Sequence, residues 1–325
     1  MKRLISGIQP TGKMHLGNYL GAISNWVKLQ DNYDSYFLIA DLHSLTTVYE
    51  HPQKLRDDKL DLAIDLLSCG IDPEKCCLCY QSDVPEHAEL FLVLSMMSPL
   101  PWLTRVPSYK GKIEELKEKD LDTYGFLGYP VLQAADIMLY KGEIVPVGHD
   151  QIPHLELARE IARRFNHLYQ PIFPEPAHLL TEFPVLPGLD GRKMSKSYGN
   201  TIPLSTPVDE MRKLVLGMFT DPNRKRRSDP GNPDICPVFA YHKIYNNPKR
   251  IGEIHLDCST AQIGCVQCKS EFADLLIESL KEYRQRREMF LRDPGEINRI
   301  LKKGAEKARA IASETLGEVK RVIGL

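Results

Sequence analysis

A short segment near the start of the chain, His15-Leu16-Gly17-Asn18, carries side chains that suit the binding of a phosphate. His15 and Asn18 stand one helical turn apart at a predicted helix start, where backbone N–H groups favour an anion. Gly17 leaves room for a nucleotide to approach the backbone closely. Taken alone, the segment is also typical of a capped helix start with a surface histidine.

A second segment, Lys193–Ser197, reads Lys-Met-Ser-Lys-Ser. Its two lysines suit the negative charge that develops on a leaving pyrophosphate. Gly188, Gly191 and Gly199 bracket the segment and would let it close over a ligand and reopen. A solvated basic loop is the alternative interpretation. The presence of both segments favours ATP chemistry, in which a carboxylate attacks the α-phosphate and the protein supplies positioning and charge.

Eight cysteines form two groups of four. Those of the first half lie in or near a short apolar run and behave as small hydrophobic side chains: Cys69, Cys76, Cys77 and Cys79. Those of the second half are spread through polar sequence with the spacing C-x21-C-x6-C-x2-C: Cys236, Cys258, Cys265 and Cys268. Four thiolates at such spacing can bind a [4Fe-4S] cluster or zinc, and four unligated cysteines are the remaining alternative.

The first half alternates buried strand patterns with helical patterns, which predicts a parallel α/β sheet with right-handed crossovers. Predicted strands are Leu4–Ile8, Ser35–Ala40, Cys77–Tyr80 and Ile144–Val147, and predicted helices are Asn18–Leu29, Pro52–Cys69 and Leu155–Phe165. Ligands of such sheets bind beyond the carboxyl ends of the strands, so Gln9–Gly17, Asp41–Thr46 and Gly148–Gln151 should meet at one crevice. A GxGxxG fingerprint for a dinucleotide is absent.

The second half is predicted to be mainly helical. Strand patterns fade after about residue 200, and a helix is expected to begin with Thr206 as N-cap and Pro207 at the first helical position. Helical patterns continue over Phe272–Leu291 and Glu296–Val322.

Bulk composition is that of an ordinary globular protein. The chain has 325 residues, 42% of them hydrophobic and 26% charged, with a formal net charge of -1. We find no apolar run long enough to span a membrane and no signal-peptide pattern, so we expect a cytoplasmic protein with no membrane partner. With no global charge to attract nucleic acid, an RNA contact would need a local basic patch, and Arg224–Arg227 is the clearest one.

The two phosphate-binding segments, in this order, resemble the HIGH and KMSKS signatures of class I aminoacyl-tRNA synthetases. Essentially the whole chain resembles the bacterial-type tryptophanyl-tRNA synthetases. The segments that carry this resemblance are Ser6–Gly12, Ala40–His43, Gly128–Ile137, Val145–Gln151 and Lys193–Ser197. It implies homodimers that use ATP and Mg²⁺ to join L-tryptophan to the 3′ end of tRNA(Trp).

The resemblance also implies a domain organisation. We expect a Rossmann-like catalytic domain over residues 1–187 and the KMSKS loop with a helical anticodon-binding domain over residues 188–293. A helix over residues 294–325 is expected to pack back on the catalytic domain.

The same resemblance assigns the ATP site. Catalytic roles fall to His15, Asn18, Lys112, Lys193 and Lys196, with Lys110 as the nearest rival of Lys112. ATP contacts fall to Gln9, Pro10, Thr11, Gly17, Asn18, Gly148, His149, Asp150, Val185, Lys193, Met194, Ser195, Lys196 and Ser197. His149 departs from the family pattern, in which many relatives carry an acid between Gly148 and Asp150.

Tryptophan binding falls, by the same resemblance, to His43, Tyr129, Gln133, Asp136, Val145, Val147 and Gln151. Asp136 is expected to accept the indole N–H, because a carboxylate is an acceptor and the indole nitrogen is a donor. Tyr129, Gln133 and Asp136 share one helix face. This trio also resembles the tyrosine-gripping residues of tyrosyl-tRNA synthetases, so a tyrosine–tRNA ligase is the alternative function.

The four downstream cysteines resemble those of an iron–sulfur-containing subset of the same family, in the helical domain near the anticodon. A [4Fe-4S] cluster is therefore expected, with zinc as the alternative. Its place near the anticodon also favours Arg224–Arg227 as a contact to RNA phosphates. A nucleotidyltransferase for a small substrate and an RNA-binding protein with a vestigial ATP site are further alternatives. The helical half argues against the first and the intact lysine pair against the second.

Overall fold

The computed structural model describes residues 1–105, 123–180 and 186–325. Its five strands form one parallel sheet in the order β3-β2-β1-β4-β5. They are β1 (Arg3–Ile8), β2 (Asp34–Ile39), β3 (Cys77–Tyr80), β4 (Ile144–Val147) and β5 (Ala177–Leu180). Since all strands are parallel, their carboxyl ends lie at one edge, where ligands of such sheets bind. The predicted α/β class is confirmed.

Helices occupy most of the remaining described chain. Those of the first half are α1 (Leu16–Asn18), α2 (Ser24–Leu29), α3 (Asp41–Val48), α4 (Pro52–Ser68), α5 (Glu86–Ser95), α6 (Leu100–Thr104), α7 (Tyr124–Leu139) and α8 (Ile152–Leu168). Those of the second half are α9 (Val208–Leu216), α10 (Pro237–Tyr245), α11 (Pro248–Ser259), α12 (Cys265–Ser279), α13 (Lys281–Arg292) and α14 (Pro294–Ile323). A π-helical turn, Tyr19–Ile23, joins α1 to α2.

The four predicted strands are confirmed to within one residue at each end, whereas the helices differ more. The helix predicted over Phe272–Leu291 is divided into α12 and α13, and several helices, among them α3, α5 and α10, were not predicted. Strand β5 was not expected from the sequence, because its side chains are mostly exposed and lack the buried pattern of the other strands. The start of α9 is displaced by one residue: Pro207, with an extended ψ of 149°, is the N-cap in place of Thr206.

The chain divides into two compact units. The first unit comprises Met1–Gly12, Ser24–Thr181 and Met289–Leu325, and the second comprises Lys13–Ile23 and Glu182–Glu288. The first therefore contains the whole sheet, whereas the second contains α9 to α12. The predicted boundaries after residues 187 and 293 stay predictions.

In the first unit, α14 packs directly on β3. A Cβ atom at Gly304 would lie 2.8 Å from the carbonyl carbon of Leu78, so only glycine allows this approach. The Cys77 thiol donates to the Gly304 carbonyl oxygen over 3.1 Å. Farther along α14, the Ser313 hydroxyl donates to the Glu86 carboxylate at the start of α5 over 2.7 Å. Helix α14 is thus an integral part of the first unit.

In the second unit, α9 and α10 pack against α12. Phe272 of α12 is fully buried, and its ring stacks on Tyr241 with centroids 4.8 Å apart. Within the described ranges, no helix has both the length and the apolar character needed to cross a membrane.

Candidate active site

The His15–Asn18 segment forms a closed turn in the second unit. The backbone N–H of Asn18 donates to His15 Nδ1 over 3.3 Å, and the His15 N–H donates to Asn18 Oδ1 over 3.2 Å. This reciprocal pair is a capping box, which satisfies backbone donors at a helix start. Both side chains therefore serve the turn as well as any ligand. His15 keeps Nε2 and Asn18 keeps its amide N–H groups for a phosphate.

The Lys193–Ser197 loop touches this turn. The Gly17 N–H donates to Met194 Sδ over 3.3 Å, and Met194 is buried. The chain after the loop adds a short pairing, in which Leu16 N–H donates to the Ile202 carbonyl oxygen over 2.9 Å. The two segments singled out by their sequence, 177 residues apart at Gly17 and Met194, are therefore neighbours in space.

The electrostatic state of His15 depends on its burial and on the loop. Burial and, to a smaller extent, the Lys196 ammonium together lower the pKa of the imidazole to about 4. His15 is consequently neutral at physiological pH. Because Nδ1 accepts the Asn18 N–H, the ring proton resides on Nε2, so His15 can offer a phosphate one hydrogen bond but no charge. Positive charge must come from Lys193 and Lys196, both of which are exposed.

Two loops of the first unit follow neighbouring strands, β1 and β4, as predicted for an ATP site. After β1, Thr11 N–H donates to the Gln9 carbonyl oxygen over 3.0 Å, and Gly12 N–H donates to Asp58 Oδ2 over 2.8 Å. Pro10 lies buried inside this turn. Asp58 of α4 thus fixes the loop that contains Gln9, Pro10 and Thr11.

After β4, Gly148 precedes a single 3₁₀ turn over His149–Gln151. A Cβ atom at Gly148 would lie 2.7 Å from Asp150 Oδ1, so glycine lets this carboxylate fold back over the loop. Gln151 Nε2 donates to Asp150 Oδ2 over 3.0 Å. His149 and Asp150 are exposed, in keeping with a loop that meets a ligand.

Asp136 of α7 is a buried carboxylate of the first unit with three side-chain partners. Gln81 Nε2 donates to its Oδ1 over 2.7 Å, and His87 Nδ1 lies 2.7 Å from the same oxygen. His43 Nε2 lies 2.9 Å from Oδ2. Burial alone would raise the pKa of Asp136, but His87 and His43 outweigh it and lower the pKa to about 2. Asp136 is therefore an ionised, acceptor-only group at working pH.

Tyr129 lies one turn before Gln133 on the same helix. Its hydroxyl lies 3.3 Å from Nε2 of the buried His154, and the two rings pack with centroids 5.4 Å apart. Tyr129 also lines an apolar cavity of about 380 Å³ together with Leu45, Phe91 and Leu132. Gln133 is half-buried, as is Gln151, whereas Val145 and Val147 of β4 are buried.

Sequence reasoning missed Gln81 and His87, two functional candidates. Gln81 directly follows β3, so the rule that ligands bind beyond the strand ends contained the signal. His87 lies in the first turn of α5 and is completely buried, with its Nε2 bonded to the Tyr140 hydroxyl over 2.7 Å. Its Nδ1 lies close to Asp136 without the alignment of a hydrogen bond, so this contact is an ion pair only when His87 is protonated.

The four downstream cysteines lie near one another, and Arg224 contacts two of them. Its Nη1 lies 3.8 Å from Cys258 Sγ and 3.9 Å from Cys265 Sγ. Burial raises the pKa of Cys268 to about 12, and the neighbouring Cys236 and Cys258 thiols act in the same direction. However, the described residues contain no group of three or more His, Cys, Asp or Glu side chains arranged to hold a metal ion.

The metal site predicted at Cys236, Cys258, Cys265 and Cys268 is therefore not found in this structure. The guanidinium of Arg224 contacts two of the sulfurs, and Cys268 Sγ instead lies 3.3 Å from Nε2 of His242. None of the eight cysteines, all of which lie within the described ranges, forms a disulfide bond. Two further predicted residues, Lys112 and Val185, lie outside the described residues.

Comparisons with known proteins bear on the whole chain. The family of class I tRNA synthetases for tryptophan and tyrosine matches residues 1–281. The tryptophan–tRNA ligase of Thermotoga maritima is 48% identical over 99% of both chains, and that of Aquifex aeolicus is 42% identical over 99% of this chain and 100% of its own.

A solved structure shows a corresponding three-dimensional likeness. The tryptophanyl-tRNA synthetase of Campylobacter jejuni, solved in complex with ADP and tryptophan, is 36% identical and has a TM-score of 0.90. It covers 99% of this chain and 100% of its own. At this identity and coverage, the chain belongs to the tryptophanyl-tRNA synthetases of class I.

Proposed function

We propose that this protein is a tryptophan–tRNA ligase. It activates L-tryptophan with ATP to tryptophanyl-adenylate and pyrophosphate, then transfers the tryptophanyl group to the 3′ end of tRNA(Trp). The contact between Gly17 and Met194 carries the proposal, because it brings the two phosphate-binding segments together within one unit. Full-length relatives that are tryptophan–tRNA ligases support tryptophan over the tyrosine alternative.

In the activation step, the tryptophan carboxylate attacks the α-phosphate and the bond to the leaving pyrophosphate breaks. Neutral His15 donates a hydrogen bond from Nε2 to a phosphate oxygen, and Asn18 donates from its side-chain amide. Lys193 and Lys196 neutralise the charge that grows on the pyrophosphate. When bound together with ATP, Mg²⁺ would supply further positive charge at the phosphates. The Gln9–Thr11 and Gly148–Asp150 loops bind the remainder of the nucleotide.

Tryptophan selection rests on Asp136. Because its carboxylate is ionised, it accepts the indole N–H and has no proton to donate. His43, Val145 and Val147 contribute to the pocket, while Tyr129, Gln133 and Gln151 hold the polar groups of the amino acid. A site without an acceptor for the indole N–H would lose most of its selectivity for tryptophan over phenylalanine.

Transfer requires tRNA, and the Arg224–Arg227 segment supplies a basic contact to its phosphates. Two of these arginines, Arg226 and Arg227, are exposed together with Lys225. We further propose that the enzyme acts as a homodimer in the cytoplasm, where its tRNA substrate is found.

ATP–pyrophosphate exchange tests the activation step. Each amino acid is supplied in turn, and exchange should depend on tryptophan. Charging of total tRNA with labelled tryptophan then tests transfer. Exchange that depends on tyrosine would instead establish the tyrosine alternative, whereas an absence of exchange with every amino acid would refute ligase activity.

We also propose that Cys236, Cys258, Cys265 and Cys268 bind a [4Fe-4S] cluster, with zinc as the alternative. The spacing and the soft thiol donors suit either group, and the mutual influence of the thiols supports their proximity. A bound cluster would serve structure rather than the activation chemistry. In taking up a metal, Cys258 and Cys265 would exchange their contact with Arg224 for the metal.

Anaerobic reconstitution with iron and sulfide distinguishes these possibilities. A cluster gives broad absorption near about 400 nm, and iron analysis should show loss of the metal in Cys265→Ser. Cys69→Ser, a half-buried cysteine of the first unit, is the matched control and should retain it. A colourless protein with stoichiometric zinc would establish zinc as the bound metal in place of the cluster. A protein that binds neither metal would refute the site.

A further inference from the structure

Asn200 is a buried asparagine directly behind the Lys193–Ser197 loop. It is 3% exposed, and its amide is fully engaged with that loop. Oδ1 accepts the Ser195 N–H over 2.8 Å, while Nδ2 donates to the Lys193 carbonyl oxygen over 3.1 Å and to Asp190 Oδ1 over 2.7 Å. Since one side of the amide meets only a donor and the other only acceptors, its orientation is unambiguous.

The chain leaves space for this side chain at Gly188. A Cβ atom there would lie 2.7 Å from the Asn200 carbonyl oxygen and would also collide with its amide group. The Leu189 N–H donates to the same carbonyl oxygen over 2.9 Å. Backbone and side chain of Asn200 are therefore both fixed against the stretch that leads into the loop.

The bonds of Asn200 hold the loop on both sides of Met194. Lys193 is held through its carbonyl oxygen and Ser195 through its N–H, while the Met194 N–H donates to the Leu186 carbonyl oxygen over 2.8 Å. The backbone around Met194 is thus fixed in the position from which its sulfur reaches Gly17. Lys196 follows immediately, in a single 3₁₀ turn that ends at Tyr198.

We propose that Asn200 is a positioning residue for ATP activation, which sets the two phosphate-binding lysines by fixing the backbone between them. This inference rests on the proposed role of Lys193 and Lys196. We expect Asn200 itself to touch no substrate, because its side-chain amide is engaged in hydrogen bonds with the loop and with Asp190. A buried amide that loses such partners leaves backbone groups unsatisfied, and a displacement of about 1 Å in a positioning group can cost about 100-fold in rate.

Asn200→Asp is the sharpest test. It preserves shape and the acceptor for Ser195, but removes both donors and places a carboxylate oxygen against Asp190 and the Lys193 carbonyl oxygen. We expect the KM for ATP in pyrophosphate exchange to rise about 10-fold or more. The Kd for tryptophan should stay within about twofold, because Asp136 and Tyr129 take their hydrogen bonds from other residues.

A nuclear magnetic resonance titration of His15 supplies a signature that mere destabilisation would not produce. In the wild-type protein, burial and the Lys196 ammonium keep the His15 pKa at about 4. If Asn200→Asp moves Lys196 and Met194 away from the turn, the His15 pKa rises towards 6.5. Gly188→Ala should reproduce both effects, because it displaces Asn200 without changing its chemistry.

Asn166→Asp is the matched control. Asn166 likewise makes three bonds to a loop: Nδ2 donates to the Phe173 carbonyl oxygen over 2.7 Å, and Oδ1 accepts from Ile172 and Phe173 over 3.0 and 3.1 Å. This loop lies in the first unit and takes no part in the proposed chemistry. The control should lose stability to a similar extent, with an unchanged KM for ATP and an unchanged His15 titration.

The possible results separate this inference from the proposed function. If Lys196→Ala leaves exchange unchanged, the function of the loop is refuted. If Lys196→Ala slows exchange while Asn200→Asp leaves the KM for ATP and the His15 pKa unchanged, only the positioning role fails. Should Asn200→Asp fail to fold, Asn200→Ser and the amide exchange of Ser195 in the wild-type protein decide. Rapid exchange of that hydrogen-bonded amide would overturn the proposal.

Discussion

The Gly17 N–H donates to Met194 Sδ over 3.3 Å, so a sulfur accepts the hydrogen bond of a backbone donor that could otherwise bind a phosphate. Thioether sulfur is a weak acceptor. A phosphate oxygen is a far stronger one, and ATP can take this donor at little cost. The loop and the turn are therefore preassembled through a bond that the substrate can readily replace.

Lys196→Ala should slow tryptophanyl-adenylate formation by about 100-fold, because the pyrophosphate loses one of its two lysines. The tryptophan Kd should change little. The same substitution should raise the His15 pKa modestly, since burial, the larger cause, remains. Pyrophosphate exchange and a His15 titration measure the two effects.

Lys249→Ala is a suitable control for this experiment, because Lys249 is an exposed lysine of the second unit that pairs with Glu253 on α11. It should leave exchange and the His15 pKa unchanged. Wild-type exchange in Lys196→Ala would contradict the assigned role of the lysine.

Asp136→Asn should alter the acid stability of the protein. Folding lowers the Asp136 pKa from 3.8 to about 2, so its stabilising contribution is complete above the unfolded value and is lost as pH falls through the folded one. The shift corresponds to about 2 kcal/mol at most. The free energy of unfolding, measured in urea from about pH 5 to about pH 3, should therefore decline more steeply in the wild type than in the variant.

Asp57→Asn, at an exposed position of α4, serves as the control and should follow the wild-type slope. In the functional assay, Asp136→Asn should weaken tryptophan binding by about 10-fold or more. The asparagine amide has a single acceptor oxygen, for which the indole N–H must compete with the side chains that already contact Asp136. Equal affinity in variant and wild type would refute the role of Asp136 as the indole acceptor.

His87→Ala should weaken tryptophan binding although His87 is not expected to touch the ligand. Its removal takes away the largest of the interactions that lower the Asp136 pKa, so that pKa should rise. It also leaves the buried Asp136 carboxylate with one partner fewer, which costs about 1–3 kcal/mol. Equilibrium dialysis and denaturation measure these effects, and His167→Ala on the exposed side of α8 should show neither.

Gly304→Ala should destabilise the first unit by about 2 kcal/mol or more, because the added methyl group meets the backbone of β3. Gly317→Ala offers a matched comparison on the same helix. A Cβ atom at Gly317 meets nothing within 4 Å, so alanine should stabilise α14 by up to about 1 kcal/mol. Similar urea midpoints for the two variants would contradict the close packing of α14 on β3.

Much of the fold was predictable from the sequence because its central strands are buried on both faces. Runs such as residues 36–39 of β2 are then almost wholly apolar and indicate strands without further information. Strand β5 lies at the edge of the sheet, where Ala177 and His178 are exposed, so no apolar pattern marks it. Its place follows from pairing with β4, which is a tertiary property.

The candidate site was predictable only in part. Spacing indicated that His15 and Asn18 share a turn, but not that their side chains cap each other. Asp136 was predicted by resemblance, whereas its partners were not, since Gln81 lies 55 residues away in sequence. Such partners are fixed by the packing of α7 against the sheet, which no local pattern encodes. The cysteine spacing pointed to a metal, whereas Arg224 contacts two of the sulfurs in the folded chain.

The packing of α14 on β3 has a consequence for synthesis on the ribosome. Cys77 and Gly304, which meet through a hydrogen bond, are separated by 227 residues. After all the strands of the sheet have been synthesised, most of the remaining chain must still be translated before α14 can cover β3. During that interval Cys77, Cys79 and Leu78 present an open apolar strand, the kind of surface that chaperones recognise. We expect the emerging protein to depend on such help until α14 has left the ribosome.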